Sequence, residues 1–232
     1  MFIVFEGLDG AGKTTLRDAI GAALTSQGHE VVLTREPGGT PFAEHLRELC
    51  KYGSEKYDER LTEQTRLCLL AASRSQHLEH VIKPKLAAGA IVLSDRFFWS
   101  TLAYTDSETY ESAWVLHRAL GNDLEPDLTI YLDVDQATSQ ARRQGEVTQR
   151  DRPDDIEAKL DTRFAEARLV YTGLALHEPN VVTLDARLPP STLFAKAMEA
   201  ISAVQARLNE NESQRATPGE ADHAGRGGNP AQ

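Results

Sequence analysis

The sequence predicts an α/β fold in which one five-stranded parallel sheet carries helices on both faces. Three observations lead there. Five short apolar, β-rich runs recur along the 232 residues, and each reads as a strand. Segments of helical period separate them, and short strands alternating with helices imply crossovers that keep the strands parallel. The runs are near-continuously hydrophobic, as strands covered on both faces are.

In chain order, Phe2-Ile3-Val4-Phe5 is the first strand, and Thr15 to Ser26 is a helix ending at Gly28. Val31-Val32-Leu33 is the second strand, opening into a Pro- and Gly-containing loop, Thr34 to Thr40. Phe42 to Cys50 reads as a short amphipathic helix with Phe42, Leu46 and Leu49 on one side, and polar Tyr52 to Arg60 reads as loop. From Thr62 to about Leu86, apolar residues with Arg74 and His77 among them recur at helical spacing, and Pro84 is expected to bend or break the end. Ala90 to Leu93 is the third strand, Tyr110 to Leu120 a helix closed by Gly121, and Leu128 to Leu132 the fourth strand. Asp135 is placed to cap a helix through about Arg143. A charged segment, Gln144 to Asp155, then precedes a helix from Ile156 to about Leu174. Val181 to Leu184 is the fifth strand, and Ser191 to about Leu208 the last helix. A single domain over residues 1–208 is expected, with a lid at about 144–155. The aperiodic tail 209–232 is expected to be disordered.

The formal charge of −10 argues against a general nucleic-acid binder, which needs a basic face. No apolar run is long enough to span a membrane, and no basic n-region precedes the first strand. Cys50 and Cys68 give no disulfide framework. A soluble cytoplasmic protein is expected.

Gly7-Leu8-Asp9-Gly10-Ala11-Gly12-Lys13-Thr14 fits G-x-x-x-x-G-K-[ST] between a strand and a helix. The glycines let backbone N–H groups turn inward around a phosphate, and the helix N-terminus favours negative charge. Lys13 can reach the β/γ-phosphates and the Thr14 hydroxyl can bind Mg²⁺. Arg35, leaving the second strand, is either an anion clamp or a solvated surface arginine. Asp95, after the third strand, either holds a Mg²⁺ shell or accepts hydrogen bonds from substrate, and Arg96 beside it can grip phosphate. Arg142, Arg143, Arg150 and Arg152 cluster among helix-breaking residues as a candidate lid or a solvated face. His77 and His80 stand three apart without further ligands at zinc spacing, and are expected to be helix-surface histidines.

Together GLDGAGKTT (7–15), TREPGGT (34–40), DRFFWSTLAY (95–104) and PDLTIYLDV (126–134) resemble bacterial thymidylate kinases, in order from Phe2 to about Ala206. The resemblance implies a nucleotide-kinase type of P-loop NTPase fold with a mobile lid. It also implies a homodimer and transfer of the γ-phosphoryl group of ATP to dTMP with Mg²⁺. ATP would lie on Gly7, Leu8, Asp9, Gly10, Ala11, Gly12, Lys13, Thr14 and Thr15, with Arg142 or Arg143 nearer the adenine. Thr14 and Asp95 would face the metal. Asp9 would hold Arg35 and the sugar region. Arg35 and Arg96 would bind the acceptor phosphate, with Glu36 beside the sugar and the Mg²⁺ shell and Pro37 also on the substrate. Arg74 would hydrogen-bond the thymine, and Ser100 and Tyr104 would wall base and sugar. With glycine at position 10, the catalytic arginine is expected from the lid, as Arg150 or Arg152.

Three positions depart from the family pattern. Leu70 replaces the usual stacking phenylalanine, Leu102 and Thr105 stand where many members have glutamine, and RDRPDD (150–155) looks more like an adenylate-type lid. Another nucleoside monophosphate acceptor is therefore the alternative reading. A switch-type NTPase is a further one, although no N-K-x-D guanine signature occurs.

Overall fold

The computed structural model describes residues 1–120, 124–146 and 157–216, the side chains of 145–146, 157–161 and 212–216 excepted. Its core is one sheet of five strands in the order β2-β3-β1-β4-β5, with every neighbouring pair parallel. They span Phe2–Glu6 (β1), Val31–Arg35 (β2), Ile91–Asp95 (β3), Leu128–Asp133 (β4) and Val181–Asp185 (β5). The chain leaves central β1 for the edge strand β2, returns to β3 beside β1, and then crosses to β4 and β5. The loops after β1 and β3 therefore open side by side at the carboxyl edge, where doubly wound sheets hold ligands. The register fixes this: Phe5 and Arg35 both lie opposite Asp95.

Successive residues of β1 feed opposite faces of the sheet, as the strand period of two requires. Ile3 and Phe5 pack with Ile20, Leu24, Tyr171 and Ile201 on one face. Phe2 and Val4 pack with Leu67, Leu78, Ile82 and Phe98 on the other. The first face is covered by α1 (Lys13–Ser26), α8 (Glu157–His177) and α9 (Pro190–Ala216). The second is covered by α3 (Glu63–His77), a following π-helical turn (Leu78–Ile82) and α5 (Phe98–Ala103).

Four expectations about the elements need correction. The second helix, α2, runs from Pro41 to Tyr57, taking in residues expected to be loop. Cys50 and Gly53 extend the buried stripe begun by Ala43 and Leu46, and only Asp58, left-handed at φ 52°, ends it. The helix expected from Thr62 to Leu86 starts at its cap, with Thr62 Oγ1 accepting from Thr65 N at 3.2 Å, but is interrupted by the π-helical turn. Pro84 then sits in the first turn of α4 (Lys83–Ala87), where its missing N–H matters little. Helix α5 was not expected, and α9 continues to Ala216, past the expected end at Leu208. The remaining helices are α6 (Tyr110–Ala119) and α7 (Gln136–Glu146). Asp135 caps α7 as expected, accepting from Thr138 N at 2.9 Å.

Leu24 is fully buried between α1 and the sheet, whereas Leu169 on α8 is 74% exposed. Leu24→Ala should cost about 2–5 kcal/mol in urea unfolding, and Leu169→Ala should stay within about 0.5 kcal/mol. Equal effects would contradict this placement of the core.

Candidate active site

The loop between β1 and α1 closes on itself, Ala11 N donating to Leu8 O at 3.2 Å and Leu16 N to Gly12 O at 3.1 Å. Gly10 sits at φ +77°, and a Cβ there would lie 2.7 Å from the backbone oxygen of Ser139 on α7. No side chain fits at that position. The same contact ties the loop to α7: Ser139 Oγ donates to Asp9 O at 2.7 Å, and Arg142 Nη1 to Gly10 O at 3.1 Å.

Lys13 is buried and donates to Leu8 O at 2.9 Å. Burial, reinforced by the nearby Arg96 cation, brings its ammonium down to about 8, against the pull of Asp9 and Asp95. Thr14 Oγ1 donates to Asp95 Oδ2, while Asp95 Oδ1 is buried without a hydrogen-bond partner among the described residues. A hydroxyl and a carboxylate with an unspent oxygen form a donor set suited to a hard divalent cation.

Arg96 is the centre of a polar cluster beside the loop. It adopts φ +72°, unusual for a non-glycine residue. The conformation is held by Arg96 N donating to Phe5 O at 2.9 Å and Ser94 Oγ donating to Arg96 O at 2.7 Å. Its guanidinium pairs with Asp9 through Nη2. Nη1 donates to Gly7 O at 3.1 Å, Ser100 Oγ at 2.9 Å and Tyr171 OH at 3.3 Å. Tyr104 OH donates to the other Asp9 oxygen at 3.2 Å. Burial works to raise the Asp9 carboxyl, but the cations of Arg96 and Lys13 hold it well below the usual range. Beneath them, buried Glu6 accepts from Phe97 N at 2.8 Å and from Ser100 Oγ at 2.6 Å, and burial pushes its pKa up.

A second buried group stands on α3. Arg74 Nε donates to Glu36 Oε2 at 2.7 Å, and Nη2 donates to Thr101 Oγ1 at 2.8 Å and to Phe97 O at 3.3 Å. His77, fully buried, lies 3.2 Å from Glu36 Oε1 through Nδ1 and 2.6 Å from Thr34 Oγ1 through Nε2. This corrects the expectation of a helix-surface histidine: the helix turns His77 inward against Gly39, whose absent Cβ leaves room for the ring. Burial opposes ionisation of Glu36, but Arg74 and His77 overcome it and lower its pKa.

One cavity of about 790 Å³ joins these groups. Asp9, Gly10, Ala11, Gly12, Lys13, Thr14, Thr15, Arg35, Glu36, Pro37, Leu70, Arg74, Asp95, Arg96, Ser100, Tyr104, Arg142 and Arg143 all line it. Gly7 and Leu8 lie behind it and contribute backbone oxygens to Arg96 and Lys13. Asp9 pairs with Arg96, not with Arg35 as expected; Arg35 instead meets Glu44 at 2.8 Å and is half-exposed. The left-handed turn brings Arg96 back over the loop, while Arg35 continues outward along its strand. Arg150 and Arg152, with most of the expected lid, lie outside the described residues. At the far end Ala186, Leu188, Pro190, Leu193 and Phe194 add an apolar wall that the sequence did not reveal. Arg66 was also missed, though it lies one helical turn before Leu70.

The chain matches the thymidylate kinase family over residues 5–197. It is 40% identical over 204 residues to the thymidylate kinase of Pseudomonas putida (strain W619), covering 87% of this chain and 95% of that protein. Its fold resembles the crystal structure of thymidylate kinase from Ehrlichia chaffeensis, with a TM-score of 0.65 at 26% identity, over 87% of this chain and 98% of the other.

Lys13 is a cation below about 8 and neutral above it. Nucleotide affinity should therefore weaken as pH rises through that value, by up to about tenfold per unit. Calorimetric titration of ATP between about pH 7 and pH 9.5 checks this; an affinity constant across the range would contradict it.

Proposed function

The chain belongs to the thymidylate kinase family, and on that premise we propose how the residues at the carboxyl edge of its sheet move the γ-phosphoryl group of ATP to dTMP. The activity is that of a nucleoside monophosphate kinase, giving dTDP and ADP. The observation that carries the residue assignment is the joining of two anion sites by one loop: Lys13 donates to Leu8 O, and Arg96 donates to Gly7 O and pairs with Asp9.

ATP lies along residues 7–15, its adenine toward Arg142, Leu188 and Phe194, all of which line the cavity. Lys13 meets the β/γ-phosphates. Arg96 and Arg35 hold the acceptor phosphate, and the buried Glu36–Arg74 pair with Pro37, Ser100 and Tyr104 holds sugar and base. An oxygen of the dTMP phosphate forms its bond to the γ-phosphorus as the bridging bond to ADP breaks, in line, without a covalent enzyme intermediate. The acceptor phosphate is already anionic, so no strong general base is needed. Positioning and charge neutralisation carry the reaction. Gly10, closed off by Ser139, has no room for a basic side chain, which supports Arg150 or Arg152 as the arginine that meets the transferring group.

Thr14 and Asp95 would hold Mg²⁺, which when bound neutralises phosphate charge; the unspent Asp95 Oδ1 supports that assignment. A homodimer through the face of α3 and α6 is supported by half-exposed Leu120 and exposed Val115. The net charge of −10 supports small-molecule partners over nucleic acid. Free thiols at Cys50 and Cys68 support a cytoplasmic setting, and no helix among the described residues is long and apolar enough to cross a membrane.

Steady-state assays with Mg·ATP and a panel of dTMP, dUMP, dCMP, AMP and UMP test the acceptor. The expected order has dTMP first and dUMP second; a preference for any of the other three contradicts it.

A further inference from the structure

The reading above leaves one buried cation of the cavity unused. Arg66, Leu70 and Arg74 recur at i, i+4 and i+8 on α3, so they form one stripe, and all three line the cavity. The two arginines are held in parallel ways. Arg74 is fixed by a carboxylate, Glu36, by Thr101 Oγ1 within α5 and by Phe97 O just before it. Arg66 is fixed by Glu63, with Nε donating to Oε2 at 3.0 Å and Nη2 pairing with Oε1. The same Nη2 donates at 2.8 Å to Tyr104 O, just beyond the end of α5. Both side chains are buried, yet the Nη1 of each has no hydrogen-bond partner among the described residues. Neither Nη1 is among the fully enclosed polar atoms, so each opens to the cavity and can give its unspent donor to a bound acceptor.

We propose that Arg66 is a specificity-determining residue that donates to the acceptor base from the edge opposite Arg74; this rests on the acceptor site proposed above. The two arginines are separated by about 12 Å of helix rise, enough to flank a pyrimidine lying on Leu70. Leu70 offers the ring an apolar floor but no π-face, so edge contacts carry more of its recognition. Arg66 is clamped to Tyr104, whose hydroxyl reaches Asp9 on the sugar side of the site. The 2-keto oxygen neighbours the glycosidic nitrogen and is the carbonyl nearest the sugar. Arg66 therefore takes the 2-keto oxygen and Arg74 the 4-keto oxygen. Two donors flanking the ring favour a base whose edges both carry oxygen.

The test pairs a residue with a ligand atom. The kcat/KM values are measured for dTMP, 2-thio-dTMP and 4-thio-dTMP with wild type, Arg66→Lys and Arg66→Met. A thiocarbonyl is a poor acceptor, so wild type should use 2-thio-dTMP about tenfold less efficiently than dTMP. Arg66→Met should raise the KM for dTMP about tenfold with kcat within about twofold, and should erase the 2-thio penalty while the 4-thio penalty persists. Arg66→Lys, which keeps a donor, should retain part of the 2-thio penalty. Equal losses on dTMP and 2-thio-dTMP in Arg66→Met would make Arg66 a clip between α3 and α5 and overturn the proposal. An unchanged KM for dTMP would overturn it too. Failure of wild type to phosphorylate dTMP at all would instead overturn the acceptor assignment beneath it.

Discussion

The site depends on one ion pair. Asp9 stands in the middle of the phosphate loop and Arg96 leaves the neighbouring strand, and their pairing ties that loop to the segment after β3. A charged pair partly withdrawn from water is costly unless its remaining valences are filled. Here they are: Tyr104 takes the second Asp9 oxygen, and Gly7, Ser100 and Tyr171 accept from the arginine. Glu6 in turn anchors Ser100 and Tyr171. Strand β1, the loop, helix α5 and helix α8 thus share a single hydrogen-bonded cluster, and none can shift without disturbing the others.

Sheet topology makes that pair available. Because the chain visits β2 before β3, the residues after β1 and β3 open side by side, and Arg96 needs only one left-handed residue to turn back over the loop. Strain of order 1 kcal/mol there is affordable where the surrounding bonds over-determine the conformation. The same geometry closes the loop against α7 at Gly10, so any basic group meeting the transferring phosphoryl must come from elsewhere in the chain.

Much of this was legible in the sequence, for physical reasons. Buried parallel strands are short and uniformly apolar, and the glycine loop carries its own chemistry, so the sheet and the donor site could be read from spacing alone. Arg96 could be read from its place after the third strand, and Arg74 and Tyr104 only through resemblance. What escaped depends on long-range packing. Nothing local says that Asp9 meets Arg96 and not Arg35, since that is decided by a backbone turn at Arg96. His77 looked like a surface residue because its partners, Thr34 and Glu36, come from a strand and loop far away in sequence. Residues expected to be loop joined α2 because a buried cysteine and glycine continued its stripe.

The most direct test of this frame is a double-mutant cycle on dTMP affinity, with Asp9→Ala, Arg96→Ala and the double variant measured by calorimetry. If the pair is the link between loop and acceptor site, the two losses will be non-additive, with a coupling of about 0.5–3 kcal/mol. Strictly additive losses would mean that the two residues act independently, and would contradict the central role given to their contact.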